Sequence, residues 1–144
     1  MPAKRTFDAE LATLEALRDA SPEAAEPELA KALTHRNNLI VSKAAALALH
    51  HQLTGLTPNL AAAFTRFVEN SAKSDPQCWA KNALAKTLAA FEYQEPELFL
   101  VGVRHIQLEP GWGGSTDTAG TLRSTCILEE SYLGHVHSGG HTVK

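Results

Sequence analysis

Apolar residues recur at three- and four-residue spacing through most of the chain, and the clearest run is 75–93, DPQCWAKNALAKTLAAFEY. Ala80, Leu84, Leu88 and Phe91 form one stripe, with Lys81, Asn82 and Lys86 off it, which is the periodicity of an amphipathic helix. Asp75 is the expected N-cap, because a carboxylate there accepts a first-turn N–H. Pro76 suits the first helical position, where no N–H is needed. Thr6–Ala20 carries the same signal through Phe7, Leu11, Leu14 and Leu17, with Asp8, Glu10, Glu15, Arg18 and Asp19 on the wet side. Ser21-Pro22 predicts the end of that helix, and 22–26 reads as a short link.

Beyond residue 25 the pattern recurs in pairs. Glu26-Pro27-Glu28-Leu29, Thr57-Pro58-Asn59-Leu60 and Glu95-Pro96-Glu97-Leu98 each place a proline two residues before a leucine, where it can begin a helix without interrupting one. A second helix follows each of these, over 38–53, 75–93 and 117–133. Asn37, Asp75 and Asp117 open the second helices, and Lys43, Lys81 and Arg123 each lie six residues later. Asn37 and Asp75 are 38 residues apart, Asp75 and Asp117 42. The extra residues of the last unit fall in the loop Gly111-Trp112-Gly113-Gly114-Ser115, where insertion is tolerated. Gly55 is the expected stop for the first of these helices.

Helix pairs repeating at roughly forty residues predict an all-α superhelix, because one hairpin cannot bury both its stripes and stacked hairpins can. The opening residues Asn37, Asp75 and Asp117, the base six positions on, and the stripes Ala45-Ala46 and Ala83-Leu84 resemble the HEAT-repeat family, including the HEAT-like repeats of phycobilin lyases. The resemblance spans about 26–133. It implies a HEAT-like helical-hairpin solenoid of about three repeats (26–55, 56–94 and 95–134) behind an N-terminal helix and link over 1–25. It also implies an acid/base ladder in which the opening residues cap helices and pair with bases of the adjacent repeat. The other reading of Lys43, Lys81 and Arg123 is a basic row on a concave wall that grips an acidic peptide or phosphates.

The pattern weakens at the end. Glu129 and Glu130 fall on a stripe that is apolar in the earlier units, where carboxylates buried unpaired are costly. The stretch 135–144 is Gly- and His-rich and reads as a disordered tail. A solvent-facing last helix and a truncated or frame-altered longer array both fit; the diluted stripe favours the second. An open last repeat would leave apolar surface near Ile127 and Leu133, which suits self-association.

Composition narrows the function classes. The chain has 144 residues, a formal net charge of -3, 44% hydrophobic and 6% aromatic residues, the balance of a soluble domain of small-residue helices. No apolar run is long enough for a membrane span, and MPAKRTFDAE lacks the apolar core of a secretory signal. Cys78 and Cys126 are isolated, the usage of a reducing cytoplasm. The bases are scattered among acids, so no nucleic-acid stripe emerges. His135, His137 and His141 could ligate a metal only if ordered, and no metal or cofactor is expected. Cys78, in a first helical turn, has neither base nor oxyanion pocket to make it a nucleophile; with Trp79 it is the expected inter-repeat core. Trp112 is either a contact anchor or a lid over the hairpin ends. The expectation is a non-enzymatic module that binds a protein or peptide through Lys43, Lys81, Arg123 and Trp112, with Asn37, Asp75 and Asp117 as structural caps. The alternatives are an enzyme subunit resembling the lyase repeats and a HEAT-like nucleic-acid binder.

Overall fold

A computed structural model describes the backbone of residues 2–70 and 72–143, and the side chains of 6–70, 72–131 and 133. Among the described residues it is a mostly helical protein of seven α-helices and one two-stranded hairpin. The helices are α1 (Pro2–Ala16), α2 (Pro22–Ala32), α3 (Asn38–His50), α4 (Thr57–Glu69), α5 (Trp79–Ala90), α6 (Pro96–Arg104) and α7 (Gly120–Val143). Strands β1 (Leu108–Gly111) and β2 (Gly114–Asp117) pair antiparallel between α6 and α7. α2 packs on α3, α4 on α5 and α6 on α7, while α3, α5 and α7 contact one another in sequence. No helix among the described residues is long and apolar enough to cross a membrane.

The repetition is sharpest in α3 and α5. Residues 41–50 and 81–90 carry the same order of buried, partly buried and exposed side chains. Ile40, Val41, Ala44, Ala45, Leu47 and Ala48 are buried in α3, and Ala80, Lys81, Leu84, Ala85, Thr87 and Leu88 in α5. The Thr87 hydroxyl donates to the Ala45 carbonyl at 3.2 Å, which lets a polar group sit between the two helices. Both helices end alike. Gln52 and Glu92 take positive φ (56° and 58°), and the Leu53 and Tyr93 N–H groups reach back to the carbonyls of Ala48 and Leu88. This is the Schellman closure, made without glycine, so Gly55 is not the stop. The helices are thus 40 residues out of step, and the 38-residue spacing of Asn37 and Asp75 reflects two extra residues before α5.

Other boundaries also differ from expectation. Ser21-Pro22 starts a helix: the Ser21 hydroxyl accepts the Ala24 N–H at 3.1 Å and Pro22 occupies the first turn, so the link is helical and Pro27 lies inside α2. Arg66 of α4 donates to the carbonyls of Leu33 and His35 at 3.1 and 2.8 Å, satisfying the end of α2. His50 and His51 tie the end of α3 back to the 3-10 turn that follows α1, through Arg18 and the Leu17 carbonyl. Gly102 lets α6 lie against α7, since a Cβ there would sit 2.3 Å from the Cys126 sulfur. The backbone over 135–143, expected to lack helix, continues α7 to Val143; the side chains of His135, His137 and His141 lie outside the described residues.

Candidate partner-binding surface and the polar cluster behind it

The two extra residues before α5 build a distinctive turn. Gln77 and Cys78 both have φ of 58°, a left-handed conformation costly for non-glycine residues. Asp75 holds it. Fully buried, its Oδ1 accepts the Ala80 N–H at 2.8 Å and the Asn38 side-chain amide at 2.9 Å, and its Oδ2 accepts the Lys81 N–H at 2.9 Å. Asp75 therefore caps from five and six residues back, whereas Asn37 caps α3 from two and three, accepting from Leu39 and Ile40. The Lys81 ammonium, also buried, faces Asp75 Oδ2 at 3.2 Å. The angles do not make this a hydrogen bond, so charge attraction and the shared cage hold the pair.

Against this turn sits a polar hub, Gln107, 2% exposed. Its side-chain amide donates to the Asp75 carbonyl at 2.7 Å and to Glu109 Oε2 at 2.8 Å, and its Oε1 accepts from the Cys78 thiol at 3.2 Å. Glu109 Oε2 also accepts the Gln77 N–H at 2.7 Å and the Thr118 hydroxyl at 2.5 Å. Those bonds, from Thr118 first, hold the Glu109 carboxyl below the usual carboxylate range. Burial pushes the Cys78 thiol up, which keeps it a protonated donor rather than a thiolate. At the open end of the hairpin, Asp117 Oδ1 accepts the Gln107 and Ala119 N–H groups at 3.1 Å, and Oδ2 meets Arg123 at 2.6 Å. The Arg123 bond is the first cause holding Asp117 far below its ordinary value.

The segment outside this hub is inside out. Gln107 and Glu109 point inward, while Ile106 and Leu108 are 66% and 62% exposed. The alternation is that of a strand, but polar residues face the protein and apolar ones the solvent. Trp112, 104% exposed, stands at the tip next to Gly113, whose φ of 75° makes the tight reversal. The lid role for Trp112 is thereby corrected: it covers nothing.

The expected site residues do not converge. Lys81 is buried beneath the hairpin, so it cannot join an exposed basic row; the two extra residues rotate it inward to the position of Val41. Lys43 is paired with Glu15 of α1 at 3.2 Å, and Arg123 with Asp117. Asn37 and Asp75 accept first-turn N–H groups of α3 and α5, whereas Asp117 accepts the N–H of Ala119 just before α7. Asp75 and Asp117 pair with the base in their own unit, not across units. The cross-unit bond comes from Asn38. Trp79 is 52% exposed, while Leu84, Leu88 and Cys78 are buried; Trp79 is thus outside the core expected for it. Leu133 is buried and Ile127 half-exposed. Glu130 has a buried oxygen without a partner, and burial followed by Glu92 raises the Glu129 carboxyl. Among the described residues no three His, Cys, Asp or Glu side chains gather as a metal ion requires. The hub residues Gln107, Glu109 and Thr118 escaped sequence reasoning, although Ile106-Gln107-Leu108-Glu109 alternates with period two before a Gly-rich turn.

No family model matches the chain, and no curated protein or solved structure matches it either.

Proposed function

We propose that the chain is a HEAT-like array of helical pairs that works as a protein-interaction module, docking a partner's apolar cleft onto the hairpin face of Ile106, Leu108 and Trp112. The array reading is supported by the burial order repeated in α3 and α5 and by the sequential packing of α3, α5 and α7. The single observation that carries the docking reading is the inside-out strand. Leu108 and Trp112 on one short hairpin, and Ile106 just before it, face water, a concentration that marks contact surfaces. The hub behind them fixes the backbone, which lowers the ordering cost of binding. Aromatic anchors of this kind dominate interface energetics.

The test starts with a photo-crosslinking side chain at position 112 in the full chain, followed by purification of the captured protein. Titrating that protein against the unmodified chain and against Trp112→Ala should show about a hundredfold loss of affinity for the variant. Equal affinity of the two, or no capture, would overturn the proposal.

A further inference from the structure

A second surface lies on the first helices of the pairs. α4 and α6 flank a shallow groove of about 490 Å³. Each helix contributes the same one-turn triad: Ala61, Ala62 and Thr65 from α4, Glu97, Leu98 and Val101 from α6. The α4 side is small enough for a chain to approach its backbone closely, and Val101, 43% exposed, gives the groove apolar lining. Tyr93 and Glu95 complete its lining.

Tyr93 occupies the closing position of the α5 terminus and packs edge-on against buried Phe99, with ring centroids 6.1 Å apart. Its ring is therefore held in place. Burial, and then the Glu95 charge, raise the Tyr93 phenol, and both residues line this groove. Among the described residues neither Glu95 nor Glu97 has an ion-pair partner. Glu95 and Glu97 stand at the start of α6, where the helix dipole also favours them. With no basic side chain among the groove's described lining, however, they leave it negatively charged beside the Tyr93 ring, and such a groove attracts a guanidinium or ammonium.

We infer that the α4/α6 groove docks a basic amphipathic peptide segment, with an arginine or lysine between Glu95, Glu97 and Tyr93 and apolar side chains on Leu98 and Val101. Charge complementarity selects this occupant over an acidic or purely apolar one. The surface is separate from the hairpin, so the two can fail independently.

The probe is a fluorescein-labelled peptide of alternating leucine and arginine pairs, read by anisotropy against the full chain. Binding should weaken as salt rises, and Glu95→Gln with Glu97→Gln should raise Kd about tenfold. Both glutamates are exposed, so the variant keeps the fold, checked by circular dichroism. Tyr93→Phe keeps the ring and should bind within about twofold of the unaltered chain, whereas Tyr93→Leu should weaken binding. Trp112→Ala should leave it unchanged. Equal binding by the glutamine variant, or equal binding of a leucine–glutamate peptide, would overturn the inference. A concentration-dependent dimer dissolved by the same substitutions would also overturn it, by assigning the groove to a second copy.

Discussion

The start of α3 and the start of α5 solve one problem in two ways. Both helices bury the same positions, and both need their first N–H groups satisfied. At α3, Asn37 does this alone, close by and without charge. At α5, a buried carboxylate does it from further back, across two left-handed residues, and brings a buried lysine with it. The simpler cap would serve the helix equally well. What the costly version adds is a place to attach something: the Gln77 N–H, the Cys78 thiol and the Asp75 carbonyl all face the hairpin, and each is used by Glu109 or Gln107. The α3 start carries no such attachment. The buried charge is thus tied to display of the apolar hairpin, not to making a better helix.

The two caps should therefore differ most under deletion. Asp75→Ala removes the carboxylate that faces Lys81 at 3.2 Å and leaves two first-turn N–H groups open, costing about 3–5 kcal/mol. Asn37→Ala removes an ordinary cap, costing about 1 kcal/mol. Denaturant titration of both variants measures the gap, and equal costs would break the comparison. A smaller effect sharpens it. Asp75→Asn with Lys81→Met removes both charges and should cost less than Asp75→Ala, about 1–3 kcal/mol: it spares the desolvation that removing one charge exposes, while the amide nitrogen cannot accept the Lys81 N–H that Oδ2 now takes. A double variant as unstable as Asp75→Ala would show that the pair stabilises in its own right.

Acid tests the attachment itself. The folded Glu109 carboxyl is held below its ordinary value of 4.5, first by the Thr118 hydroxyl. A depressed value means that its contribution is present above about pH 4.5 and is lost as pH falls through the lower folded value. The Gln77 amide, which donates to Glu109, should report that step by NMR, with a midpoint below 4.5. The step should vanish in Glu109→Gln, and a midpoint at or above 4.5 would contradict the hydrogen-bonded geometry.

The helical pairs were legible because their signal is local: a periodic stripe, a proline and a capping residue each act within one turn. The error lay in aligning the second helices by their caps. Asn37 and Asp75 are chemically alike, but a cap can act from two residues away or from six, and only the helix ends revealed the offset of 40. That slip put Lys81 on the surface when it is buried, because a two-residue shift rotates a helical side chain through roughly 200°. The hairpin was missed for a different reason. Its alternation is inverted, so a search for apolar side chains facing inward reads Ile106 and Leu108 as the tail of α6. Gln107 looked unremarkable because a hub depends on partners at positions 75, 78, 109 and 117, and no local pattern encodes such a set.

The smallest effect isolates the two left-handed residues from the charge. Gln77 is exposed, and it enters the attachment through its backbone N–H. Gln77→Gly keeps that N–H and relieves the strain of φ 58°, while giving the unfolded chain more freedom. These oppose, and relief of left-handed strain is the larger, leaving a gain of about 0.5 kcal/mol. In the first turn of α3, where the backbone is ordinarily helical, Leu39→Gly should instead cost about 1 kcal/mol. The sign of the glycine effect thus separates the two helix starts without touching any charged group. If thermal unfolding showed both substitutions destabilising, the α5 turn would carry no stored strain, and the lysine–aspartate pair alone would account for its cost.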